Sequence, residues 1–192
     1  MLRSIGVAMG LCAALWGGAA QADGAQFNNS KDGDTRDGPV WRVAYQGAAA
    51  TGACALKGAF AEGVSLEVKV FGERNVIIAR LTNPAWGSAR LGDAMRLKAR
   101  LEGGDAGFSV STEAYGFERG VIFMVDAAFV ERMTRASTAR FDLTSGDLGS
   151  QEVDLAEASG ALAELGRCVA ARFSDTRAAK RFEVLGVAHV SG

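Results

Sequence analysis

The sequence predicts a mainly β protein: an antiparallel β-sandwich or partly closed barrel with two short packed helices. Three observations carry that expectation. From Trp41 onward, apolar residues recur at every second position, the period of a strand with one dry face and one wet face. Glycine-containing turns such as Phe71-Gly72-Glu73, Glu102-Gly103-Gly104 and Glu118-Arg119-Gly120 separate most of the alternating segments, and short strands in that rhythm favour an antiparallel sandwich or barrel. Only two stretches change to helical spacing, in the second half of the chain.

Taken in order, residues 1–22 read as an export signal. Arg3 supplies the charged start, Ile5 to Trp16 the short apolar run, and Ala20-Gln21-Ala22 the small-x-small pattern of a cleavage site, so the mature chain is expected to begin near Asp23. The apolar run is shorter than the roughly 20 residues of a membrane span and no later segment reaches that length, so no transmembrane anchor is expected. Lipid attachment at Cys12 is disfavoured because Leu11, not a small residue, precedes it. Residues 23–39 are rich in aspartate and glycine with a single aromatic, Phe27. Such a segment has little apolar area to offset the entropy of ordering, and it reads as a flexible acidic leader. Asp32, Asp34 and Asp37 suggest a calcium loop, but the fifth and twelfth positions hold Arg36 and Val43 instead of the required ligands.

The β-sandwich domain is expected over residues 40–173. Its strand candidates are Trp41 to Gln46, Cys54 to Phe60, Val64 to Val70, Val76 to Leu81, Met95 to Leu101, Phe108 to Phe117, Val121 to Val125, a segment around Phe141 and Leu143, and Glu152 to Leu155. Asp126 can cap a helix in which Phe129, Met133 and Ala136 share a face. Ala158 to Ala171 place Leu162, Leu165 and Val169 on one stripe with Cys168 beside it. A tail, residues 174–192, carries Arg177, Lys180 and Arg181 and then the apolar stretch Val184 to Val190.

Removing residues 1–22 from the 192 leaves 170, a length that suits one domain with its own core. It also takes away Cys12. In an exported chain the remaining pair, Cys54 and Cys168, reads as a disulfide before it reads as a metal or redox site, one that ties the C-terminal helix to an early strand. Lys and Arg number 21 against 22 Asp and Glu in the whole chain, so nothing in the charge points to nucleic acid.

The residues for common catalytic chemistries are missing. The chain has one histidine, His189, close to the end, which argues against a histidine triad, relay or multi-histidine metal site. No Gly-x-Ser-x-Gly, phosphate-cradling loop or dinucleotide fingerprint occurs, and no cofactor or metal is expected. Glu113 and Glu118 are near enough in sequence to be weighed as a hydrolase pair. For binding, Arg96, Lys98 and Arg100 share one face of one strand and form a basic stripe suited to an anionic surface such as a phosphorylated envelope glycolipid. Glu67 would partly neutralise the stripe if the strands were neighbours. Trp86, after the Asn83-Pro84 turn, and Trp41, opening the first strand, are the other contact candidates, Trp41 reading first as a core residue.

The run Val153-Asp154-Leu155, then Ser159-Gly160-Ala161-Leu162, Leu165 and Cys168, resembles the ending of small exported bacterial proteins of the invasion-associated locus B family, as do Trp41 opening a first strand and Cys54 entering a second. The mid-chain cysteine pair associated with that family is absent here, and the glycine falls at a different place. The resemblance implies a periplasmic β-sandwich and carries no catalytic residues. The function expected is that of a periplasmic or secreted, non-enzymatic binding protein whose partner is a protein or an envelope component. The alternatives are an envelope hydrolase using a carboxylate pair and a structural or assembly factor that recruits a strand at a sheet edge. Nothing in the sequence bears on oligomeric state.

Overall fold

The computed structural model describes residues 38–47, 52–72, 76–86, 91–103, 107–144 and 148–173. The expected signal, the leader up to residue 37, its aspartates and the tail with His189 lie outside the described residues. Within them the chain forms nine strands and two helices: β1 Val40–Gln46, β2 Ala53–Ala59, β3 Ser65–Phe71, β4 Val76–Thr82, β5 Ala94–Glu102, β6 Phe108–Phe117, β7 Gly120–Val125, α1 Ala127–Met133, β8 Thr138–Leu143, β9 Ser150–Asp154 and α2 Ala158–Arg172.

All nine strands belong to one antiparallel sheet in the order β1-β2-β3-β4-β7-β6-β5-β8-β9. The first four run as a meander. The chain then crosses to place β5 and returns through β6 to set β7 against β4; α1 carries it back over, so that β8 pairs with the free side of β5 and β9 completes the other edge. One face of the sheet holds Leu56, Leu66, Val68, Ala79, Leu81, Val121, Phe123, Leu97, Ala99 and Phe141, all buried. These are the apolar members of the alternating pattern, and their burial drives assembly at roughly 1.5–3 kcal/mol per large side chain.

The sheet is curled, with that face on the inside. The rings of Phe123 on β7 and Phe141 on β8 have centroids 5.7 Å apart, although their strands are three spacings apart in the sheet, about 14 Å if flat. Asn83, at the end of β4, donates from Nδ2 to Oε1 of Gln151 on β9 at 2.7 Å across five strand spacings, about 24 Å in a flat sheet. The sheet does not close, because β1 and β9 remain its two edges.

The two helices fill the inner side. Asp126 caps α1 by accepting the Phe129 N–H at 2.8 Å, which places Phe129, Val130 and Met133 in the core. α2 packs on β1 and β2 with Leu162, Leu165 and Val169 buried. Its Cys168 is bonded to Cys54 of β2 (Cα–Cα 6.0 Å), so the disulfide fixes the helix to the inner face of the sheet. At the start of β1, the Trp41 ring lies flat over the backbone of Gly58. A Cβ built on Gly58 would stand 2.6 Å from that ring, so only glycine admits it, and Trp41 then meets Phe60 edge-on at 5.5 Å.

Candidate functional site

Because the inner face is occupied by core and helices, the chemically varied side chains stand on the outer, convex face. On β5 the alternation Met95, Leu97, Ala99 inward leaves Arg96, Lys98 and Arg100 outward. The register sets Arg96 opposite Glu113 and Lys98 opposite Ser111 on β6, and Lys98 opposite Asp142 and Arg100 opposite Arg140 on β8.

The acids facing this stripe already have partners. Asp142 accepts hydrogen bonds from Arg100, through Nε at 3.1 Å and through Nη2, and from Arg140 Nε at 3.0 Å. These two guanidiniums hold its carboxyl below the ordinary value, Arg100 contributing most, and the same pairing raises the pKa of Arg140. Glu113 accepts the Tyr115 hydroxyl at 3.1 Å, a bond that raises the phenol's pKa and keeps it a neutral donor. Arg96 and Lys98 are both exposed and, among the described residues, neither has a carboxylate within ion-pair distance. They border a shallow depression of about 450 Å³ with Ser111, Thr112, Glu113 and Thr144. Two cations beside the Ser111 hydroxyl suit an oxygen-rich anion, through charge from the first and a hydrogen bond from the second, while the Thr112 and Thr144 hydroxyls already donate to the Glu113 and Arg96 carbonyls.

Of the sequence candidates, Arg96 and Lys98 come together at this depression, whereas Arg100 is drawn into the pair with Asp142. Glu67 does not neutralise the stripe, since β3 lies four strands from β5. It is the one buried charged residue among those described, 8% exposed, and it meets Lys69 at 3.3 Å and Gln46 at 3.4 Å. Trp86 is 5% exposed and belongs to the core. Its N–H donates to Asn83 O while Asn83 Oδ1 accepts from Ala85, and this turn leads the ring inward, so its surface serves packing. Glu113 stands on β6 opposite Arg96 with the Tyr115 hydroxyl on its carboxylate, while Glu118 lies five positions on, in the turn between β6 and β7.

Sequence reasoning missed an apolar strip next to the basic stripe. Ile78 pairs with Met124, and Ile122 with Tyr115, across β4, β7 and β6, with Met124 60% and Tyr115 48% exposed. Arg80 borders it with its guanidinium 4.0 Å above the Phe117 ring. The alternation marks these positions as outward, but the neighbours that make them one patch come from strand order. No group of three or more His, Cys, Asp or Glu among the described residues is placed to hold a metal, and no helix among them is long and apolar enough to cross a membrane. Comparison with protein-family models, with curated proteins and with solved structures found no match.

Proposed function

We propose that this chain is an exported, periplasmic binding protein that works without catalysis and takes an anionic envelope component, of the phosphorylated glycolipid class, on the outer face of its sheet. The observation that carries this reading is the pair Arg96 and Lys98: exposed cations at a depression beside the Ser111 hydroxyl, without a carboxylate partner among the described residues, where Asp142 and Glu113 are engaged by other side chains. The Cys54–Cys168 bond supports export, since such bonds persist in oxidising compartments. The resemblance of the Trp41, Cys54 and Val153 to Cys168 segments to the invasion-associated locus B family is part of the same proposal and adds a compartment, not a ligand. The apolar strip beside the stripe would give acyl or sugar surface something to lie against.

The test is retention. The oxidised full chain is immobilised and washed with envelope extract beside an Arg96→Glu/Lys98→Glu double variant. A phosphate-bearing component held by the parent and released by the variant supports the reading. Equal retention by both, from folded samples, overturns it.

A further inference from the structure

The two edges of the sheet are built differently. β9 has five residues, two of them exposed acids, Glu152 and Asp154, and its Gln151 is bonded to Asn83. Short length and charge are the usual protection of an edge against another strand. β1 has seven residues, runs in unbroken register with β2 from Val40 to Gln46, and carries a single charge, Arg42. Among the described residues its far side pairs with no strand.

Beside the first half of β1 lies a groove of about 710 Å³. Val40 and Trp41 line the strand side; Glu157, Ala161 and Glu164 of α2 and its approach line the other. The disulfide pins α2 to β2, so this wall is fixed before any partner arrives. The Nε1 of Trp41 is the one buried side-chain polar atom among the described residues that lacks a hydrogen-bond partner. No basic side chain lines the groove, while both of its glutamates are exposed. A groove between an open strand edge and a helix is the geometry of peptide recognition by strand addition, in which main-chain bonds give affinity and pockets for alternate side chains give selectivity.

We infer that the β1–α2 groove accepts an extended segment of a partner protein as an added strand on β1, apolar at alternate positions and carrying a Lys or Arg that meets Glu157 and Glu164. This site is separate from the Arg96 and Lys98 depression and takes a ligand of opposite charge.

The test uses the oxidised full chain and a labelled synthetic probe, Lys-Val-Thr-Val-Lys-Val-Thr-Val-Lys, with binding read by anisotropy and its place by amide hydrogen exchange. The expected result is saturable binding, new protection within Val40–Gln46 and none within Ser150–Asp154. Affinity falls at least tenfold in Glu157→Lys/Glu164→Lys, compared with the parent at a temperature where both are folded, because Glu157 is the N-cap of α2 and a cation there opposes the helix dipole. A probe with Glu in place of Lys does not bind. No gain of protection on β1, or equal affinity for the charge-reversed variant, overturns the inference. So does protection of every β1 amide in the free chain, instead of the alternate ones bonded to β2, because the chain's own residues would then hold the groove.

Discussion

Asp142 shows why single residues matter more here than the stripe they belong to. Its carboxyl lies between Arg100 and Arg140 and titrates below its ordinary 3.8. A group whose pKa is lowered by folding adds stability that is fully present above the unfolded value and is lost as pH falls through the folded one. Asp142→Asn is therefore expected to cost about 1 kcal/mol at pH 7, a modest figure because both arginines are partly exposed. The gap between parent and variant should narrow in denaturant melts as pH falls from 3.8 through the lower folded value; a gap that does not narrow with acid contradicts the assignment. Gly58→Ala should cost about 1–3 kcal/mol and shift tryptophan emission to the red, because the new Cβ collides with the Trp41 ring while Trp86 stays in the core; unchanged emission and stability would mean that the ring is not held there. These contacts were hidden in the sequence. Arg100 and Asp142 are 42 positions apart, and alternation tells which way a side chain faces without telling what it meets. Trp86 was misleading for a local reason: an Asn-Pro turn reads as surface, but the hydrogen bonds of Asn83 turn the next ring inward.

At the scale of elements the sequence was easier to read. Each alternating segment became a strand, because one buried face fixes the pleat and a slip of one residue would expose it. β2 blurs the rule: Ala53, Cys54, Ala55 and Leu56 are all buried. Gln46 on β1 bonds to Glu67 on β3, a span that passes over the outer face of β2, where only alanine leaves room. Asp126 announced α1 because a capping carboxylate has to precede the first apolar turn. The pairing of Cys54 with Cys168 was legible from the cysteine count. It joins α2 to β2 across 114 positions, worth about 4–5 kcal/mol at most in the chain-entropy model. Cys168→Ser should lower the denaturation midpoint under oxidising conditions without abolishing Arg96-dependent binding; a variant as stable as the oxidised parent contradicts a stabilising role for the bond.

For the whole molecule, the fold class followed from the pattern, but strand order did not, since crossing from β4 to β5 and from β7 through α1 to β8 leaves no periodic trace in the residues. That order builds the proposed site. It curls the sheet around the helices, sends the variable chemistry to the outer face, and sets Arg96 and Lys98 beside acids that other residues already hold. The central claim is that these two cations bind an anionic surface, and the most direct measurement is co-sedimentation of the full oxidised chain with vesicles bearing phosphorylated glycolipid. Each cation near such a surface contributes about 1 kcal/mol, so Arg96→Ala/Lys98→Ala should weaken binding roughly thirtyfold, and added salt should weaken the parent more than the variant. Equal binding by parent and variant, or equal binding to neutral vesicles, would contradict the account.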